Sequence, residues 1–120
     1  MFVRINTGAI AGIDAVGVTV EVNVAGGGLG LFIVGLPDNT IKESQERINA
    51  AFENSGYKLL AKKTVVNLAP ADRKKEGSGF DVAILCGILR CAGTIKRGVD
   101  LSRACFVGEL SLSGTIRPVR

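Results

Sequence analysis

VNLAPADRKKEGSGFDVAI, residues 66–84, sets an apolar run, a charged turn and two glycines in front of a second apolar run. The first run, over residues 64–68, predicts a strand, and the second, over about 80–92, predicts a helix. Because this helix is apolar almost all round, we expect it to be buried within the domain. The stretch therefore predicts a strand joined by a charged turn to a core helix.

Strands are predicted on both sides of this unit by alternation and by short apolar runs between turns. They cover residues 2–11, 16–24, 31–36, 104–110 and 112–119. The alternation is strictest in VGVTVEVNV, residues 16–24, which predicts one buried face. The glycine-rich AGGGLG, residues 25–30, predicts a hairpin or a bulged turn between two of the strands.

A second helix is predicted from its end signals. Thr40 and Glu43 match the capping box at its start, and Gly56 supplies the stop. Glu43 and Arg47 are spaced as a favourable ion pair on the same helix. The order is therefore β-β-β-α-β-α-β-β, an α+β domain with two helices packed on a mixed β-sheet.

Composition limits the possible classes of function. With 120 residues and 47% hydrophobic residues, the chain suits a single globular domain. The chain has 3 cysteines and no histidine, which disfavours both a disulfide framework and a metal site. Apolar runs are shorter than the roughly 20 residues of a membrane span, and the start lacks a secretory pattern, so we expect a cytoplasmic location without membrane contact.

The charged turn is the strongest candidate site. Gly77, Ser78 and Gly79 open a helix, where backbone N–H groups favour an anion, and Ser78 is a conceivable nucleophile. The alternative is structural, since Ser78-x-x-Asp81 is itself a capping pattern and no histidine exists to activate the serine. Of the two other glycine-rich stretches, AGGGLG predicts a turn. VGLPD precedes a helix and Gly35 could let an anion approach, but the negative charge of Asp38 favours a strand-to-helix cap instead.

Basic residues around the same turn are candidates for contact with nucleic acid or a partner protein. They are Arg73, Lys74, Lys75 and Arg117. The net charge of +4 permits such contact, although a solvated basic face would have the same composition.

Five collinear segments resemble the N-terminal domain of the magnesium-chelatase-like AAA+ ATPases of bacteria, the YifB/ComM family. They are IVGLPD, KESQERI, NSGY, VNLAPADRKKEGSGFDVAI and FVGELSLSGTIRPVR. The resemblance implies a Lon-protease-like fold, shared with the GHMP kinases. It also implies that residues 1–120 form a single domain, a fragment of a longer AAA+ protein.

The resemblance further implies a function. Members of the family carry an ATPase module that needs ATP and Mg, form ring hexamers and, in the ComM branch, act as DNA helicases in branch migration during natural transformation. This domain would then be a non-catalytic accessory domain that contacts single-stranded or branched DNA or neighbouring subunits. Two alternatives stay open, a serine–lysine peptidase and a phosphate or nucleotide binder at residues 77–81. Laying KEGSGFD on the G-P-S-A-G turn of Lon-type peptidases places Gly79 at the nucleophile position. A shift of one residue would restore a serine, but the partner lysine would lie past Arg120, which disfavours the peptidase.

Overall fold

A four-stranded mixed β-sheet forms the framework of the structure, a computed structural model that describes residues 1–11, 14–26, 28–57 and 62–118. Its strands are β1 (Phe2–Ala11), β2 (Asp14–Ala25), β3 (Leu31–Val34) and β4 (Lys63–Ala69). They lie in the order β1-β2-β4-β3, with β3 parallel to β4 and the other two pairs antiparallel.

Helices and a small hairpin complete the fold. The helices are α1 (Asn39–Lys42), α2 (Ser44–Ser55) and α3 (Asp81–Cys91), and the hairpin consists of β5 (Glu109–Leu110) and β6 (Ile116–Arg117). The two longer helices pack on the sheet, so the predicted α+β class and element order are confirmed. Gly56 is left-handed, with a φ of 78°, and is the C-cap of α2, as predicted.

One face of the sheet is buried beneath α2 and α3. On β2 the alternate residues Val18, Val20, Val22 and Val24 are buried, as the alternation predicts. Helix α3 lies close to this strand, because a Cβ atom added at Gly87 would come within 2.4 Å of Val22 Cγ2. The core therefore has no space for a side chain at that position.

The prediction of a hairpin at AGGGLG is wrong. β2 and β3 are not neighbours, because β4 lies between them. The segment instead carries the chain past β4, and Thr64 N donates to Gly30 O at 2.8 Å. Gly28 and Gly30 have positive φ angles of 151° and 116°, which only glycine adopts readily. Gly27 lies outside the described residues.

The last two strands are much shorter than predicted. Only two residues each of 104–110 and 112–119 form a ladder, while Cys105 makes an isolated parallel bridge to Asn6 at the free edge of β1. Residue 119 lies outside the described residues. Part of the apolar pattern here reflects packing against the core rather than strand pairing, since Leu110 is 1% exposed and Phe106 packs against the core, whereas Val107, Leu112 and Ile116 are exposed.

Candidate functional site

Two turns that are far apart in sequence meet at one corner of the sheet. Residues 35–38 follow β3, and residues 70–79 connect β4 to α3. Lys75 N donates to Leu36 O, and Asp38 N donates to Lys75 O, both at 3.0 Å. These bonds form a parallel bridge between Pro37 and Lys75. We call this arrangement of residues 35–38 and 70–79 the two-turn corner.

Gly35 is required for the close approach within the two-turn corner. Its φ is +99°, and an added Cβ atom would lie 2.4 Å from Leu68 O and 2.8 Å from Leu68 N. Backbone atoms of a central strand cannot move aside without breaking the sheet. The next residue, Leu36, also has a positive φ of 54°, which is uncommon for a residue with a side chain.

Asp38 connects the two turns through its carboxylate. Oδ1 accepts a hydrogen bond from Ile41 N at 2.8 Å, which caps α1, and Oδ2 accepts one from Gly77 N at 3.0 Å. The strand-to-helix cap predicted at Asp38 is therefore confirmed, and Thr40 is not the cap. A phosphate bound at the Gly77 N–H would have to displace this carboxylate, which carries the same sign of charge.

Lys75 is buried, whereas the sequence grouped it with Arg73 and Lys74 as a surface cation. Its residue is 3% exposed, and Nζ donates to Gly35 O at 2.9 Å and also to Pro70 O. Burial lowers the pKa of the Lys75 amine, an effect that neighbouring Asp72 opposes. The amine therefore ties together the two turns of the corner and is not available to a ligand at the surface.

The start of α3 is satisfied by backbone carbonyl groups, one of which comes from the segment before β5. Helix α3 has Phe80 as N-cap and no side-chain cap, so the predicted capping role of Ser78 is wrong. Val82 N donates to Gly108 O at 3.2 Å, and Gly108 N donates to Gly79 O at 3.0 Å. Among the described residues, no hydrogen bond joins the Ser78 hydroxyl to a lysine ammonium. Gly77, Ser78 and Gly79 thus form a turn that is held on both sides.

Asp81 is the first residue of α3. Its carboxylate is fully buried and accepts four hydrogen bonds. Oδ1 accepts from Ser44 Oγ at 2.5 Å and from Arg47 Nη2 at 3.0 Å. Oδ2 accepts from Arg47 Nε at 2.6 Å and from Leu110 N at 3.0 Å. The bidentate pair of Arg47 and Asp81 connects α2 to α3, and the bond from Leu110 N adds β5. We call Ser44, Arg47, Asp81 and Leu110 the Asp81 network.

The predicted ion pair between Glu43 and Arg47 is present, but it is the weaker of the two ion pairs that Arg47 makes among the described residues. Glu43, four residues earlier, is 3.8 Å from Arg47 Nη1 and its side chain is 68% exposed, whereas Asp81 is completely buried. Hydrogen bonding by Asp81 raises the pKa of Arg47, despite the opposing effect of burial. A carboxylate beside the apolar run of α3 was the available signal, because an acid in the core requires a partner.

The remaining predicted contact residues lie on the surface but on different elements. Arg73 and Lys74 are exposed in the loop between β4 and α3. Arg117 is exposed on β6, beside an open depression of about 410 Å³ that Arg47 and Glu109 also line. The structure therefore brings Arg73 and Lys74 together and places Arg117 on a separate hairpin.

Two features are absent from the part of the chain that the structure describes. In residues 1–11, 14–26, 28–57 and 62–118, no three cysteine or acidic side chains come together as a group that could hold a metal ion. In the same ranges, no helix is long and apolar enough to cross a membrane.

Comparison with known proteins identifies the family. The family model described as subunit ChlI of Mg-chelatase matches residues 20–120. The chain therefore belongs to this magnesium-chelatase-like family, and the resemblance drawn from the five sequence segments is confirmed.

Several curated relatives match nearly the whole chain. An uncharacterized protein named YifB from Escherichia coli (strain K12) is 42% identical over 115 residues, which is 96% of this chain and 22% of the relative. A competence protein named ComM from Haemophilus influenzae is 43% identical over 111 residues, which is 92% of this chain and 22% of the relative. The chain thus spans about a fifth of the length of these relatives.

Replacing Asp81 tests the energetic role of the Asp81 network. We expect Asp81→Asn to lower the free energy of unfolding by about 3 kcal/mol. The Arg47 side chain, which is 15% exposed, would keep its charge but lose the buried carboxylate that pairs with it. Glu43→Gln, which removes the exposed partner of the same arginine, should cost less than about 0.5 kcal/mol. Urea unfolding followed by circular dichroism measures both values.

The double variant Arg47→Gln/Asp81→Asn separates this pair from general damage to the core. It should lose less stability than the sum of the two single variants, because neither charge is then left alone. Additive losses, or an Asp81→Asn loss no larger than that of Glu43→Gln, would contradict the assignment.

Chemical labelling compares two adjacent lysines. In the native protein, acetylation by an N-hydroxysuccinimide ester should modify Lys74 several-fold faster than Lys75. Of these two lysines, only Lys75 is buried, with its amine hydrogen-bonded to backbone carbonyl groups. Mass spectrometry of the peptides gives both rates, and labelling in urea, where the rates should converge, is the control. Equal rates in the native protein would show that the Lys75 amine is accessible.

Proposed function

We propose that this chain is a non-catalytic accessory domain of a DNA-acting ATPase of the magnesium-chelatase-like family. Its role would be to contact DNA or neighbouring subunits, while the chemistry of ATP takes place elsewhere in a longer protein. The name of the competence protein ComM among its relatives supports a role in competence.

The observation that carries the proposal is the use of reactive groups as structural ties. The Lys75 amine donates to Gly35 O, and the Gly77 N–H donates to Asp38 Oδ2 at 3.0 Å. A serine–lysine peptidase would need a lysine amine beside the Ser78 hydroxyl, and a phosphate binder would need the Gly77 N–H to be free. Both groups have internal partners, which supports an accessory role.

Surface charge supports the choice of nucleic acid as the ligand. Arg73 and Lys74 are exposed on a loop that projects from the sheet, and no salt bridge within the described residues neutralises either of them. Cations of this kind bind phosphates by releasing counterions, without recognising sequence. Arg117 is a further candidate, on a separate surface.

The complete protein would have further properties that follow from the same proposal. An AAA+ module beyond this domain would bind ATP and Mg and assemble the subunits into a ring hexamer. The assembly would act in the cytoplasm as a helicase or branch-migration motor on single-stranded or branched DNA, without a membrane partner.

Neutralising the exposed loop tests the DNA contact. The double variant Arg73→Ala/Lys74→Ala should bind a single-stranded oligonucleotide more weakly, and the slope of log Kd against log salt should fall by about 2, one for each lost phosphate contact. Fluorescence anisotropy at several salt concentrations measures the slope.

The matched control is Lys42→Ala/Lys62→Ala, which removes the same charge from exposed positions outside this loop. It should leave the salt slope close to that of the unmodified protein. If both double variants bind alike, Arg73 and Lys74 do not contact DNA, and if the unmodified protein binds no DNA, the proposed DNA contact is wrong and only the contact with neighbouring subunits is left.

A further inference from the structure

A second basic surface lies at the opposite end of the sheet from the two-turn corner. It is an open depression of about 480 Å³ between the start of β1, the end of α3 and the loop that follows α3. Its lining residues are Phe2, Val3, Arg4, Arg90, Arg97 and residues 98–102. We call it the arginine depression. Its volume is in the range of small-molecule binding sites.

Arg90 gives the arginine depression a fixed wall. Its Nη1 donates to Lys96 O at 2.8 Å, and its Nη2 donates to Val99 O. These bonds fasten the loop after α3 to the helix that precedes it, with Arg97 between the two anchoring carbonyls. A guanidinium used in this way positions its neighbours rather than binding a ligand itself.

The other end of the same loop is fastened to β1. Asn6 Nδ2 donates to Ser102 O at 2.9 Å, and Phe106 N donates to Asn6 O at 2.9 Å. Within the loop, Asp100 Oδ1 accepts from Ser102 N at 2.9 Å and from Ser102 Oγ at 2.6 Å. The loop is therefore held at both ends before any ligand arrives, which reduces the entropy cost of binding.

Positive charge dominates this surface. The depression has three arginines and a single acid, Asp100, and the exposed residues Lys96 and Arg103 flank it. The hydrogen bonds from Ser102, together with Arg90, lower the pKa of Asp100, so its carboxylate is charged and directed at Ser102. Among the described residues, Arg97 and Arg103 have no salt-bridge partner, and the depression therefore favours an anion.

An aromatic ring lies beside these cations. Phe2 is 50% exposed, and the guanidinium carbon of Arg4 lies 5.0 Å from the centre of its ring. The side chain of Arg4 is itself 68% exposed, and its only ion pair in the described structure is a long one of 3.7 Å to Glu21. Aromatic rings and guanidinium planes both stack on nucleobases, so Phe2 and Arg4 together form a stacking surface.

We propose that the arginine depression binds single-stranded nucleic acid, with a base stacked on Phe2 and Arg4 and the adjoining phosphate on Arg97. This deepens the proposed function, on which it rests, by giving the strand a second site apart from Arg73 and Lys74. Cations that follow the backbone beside an exposed ring are the usual means by which proteins hold single strands. A duplex keeps its bases stacked internally and cannot offer one to Phe2.

Photochemical cross-linking locates the stacked base. An oligothymidylate that carries 5-iodouracil is irradiated with the full chain, which bears no tag at its amino terminus, and mass spectrometry identifies the cross-linked residues. A base stacked on the ring should cross-link to Phe2, and the cross-link should be lost when a duplex of the same length replaces the single strand. Cross-links confined to other residues would overturn the proposal.

Two variants test the two halves of the site by fluorescence anisotropy with the same oligothymidylate. Phe2→Leu keeps an apolar side chain but removes the ring, and it should weaken binding by about tenfold. Arg97→Gln should lower the salt slope by about 1, and Arg97→Lys should restore that slope, since a lysine also neutralises a phosphate. Lys42→Gln, which removes one exposed charge outside the depression, should change neither quantity.

The outcomes distinguish this proposal from the general one. If Phe2→Leu and Arg97→Gln bind normally while Arg73→Ala/Lys74→Ala binds weakly, the arginine depression is not the site, although the proposed function stands. If no variant differs because the unmodified chain binds no single strand, both proposals fail. Complete competition by thymidine monophosphate at the concentration of oligonucleotide phosphate would assign the depression to a free nucleotide and overturn the assignment to a strand.

Discussion

A single buried carboxylate, that of Asp81, constrains how the helices and the small hairpin meet. A charge inside a protein is tolerated only when its hydrogen-bonding capacity is met, and Asp81 on α3 accepts four hydrogen bonds, three from α2 and one from β5. Removing either of these two elements would leave the charge short of partners. The cost of that loss makes α2, α3 and β5 interdependent, although β5 and β6 form a ladder of only two residues each.

The Asp81 network also explains why the neighbouring turn is rigid. Asp81 fixes the first turn of α3. Gly108 donates to Gly79 O and accepts from Val82 N, and the Asp38 carboxylate accepts from Gly77 N on the other side of the turn. Groups that could bind a ligand or act as a nucleophile in other proteins are here bonded to one another. Exposed basic residues lie at the periphery, among them Arg73 and Lys74 on the loop after β4 and the arginines around the arginine depression. Such a division suits a domain that presents charge to a partner from a fixed frame.

The sequence predicted the elements of the fold better than it predicted their contacts. Alternation in β2 and the apolar run of α3 are local patterns, and both elements are found with nearly the predicted bounds. Lys74 and Lys75 are chemically identical, and only the bridge from Pro37 to Lys75 decides which of them is buried. Asp81 matched a local capping pattern, but its partners Arg47 and Leu110 lie 34 and 29 residues away. Contacts at such separations depend on the tertiary arrangement. No short motif in a single sequence predicts that arrangement.

Native-state hydrogen exchange at the amide of Leu110 tests the central role of Asp81 most directly. This N–H is bonded to the buried carboxylate, so we predict that it exchanges as slowly as the amides of β4 and opens only when the whole domain unfolds. A short exposed hairpin without such an anchor would fray on its own. If Leu110 exchanges as fast as Arg117 on the partner strand while β4 stays protected, the Asp81 network does not hold the structure together.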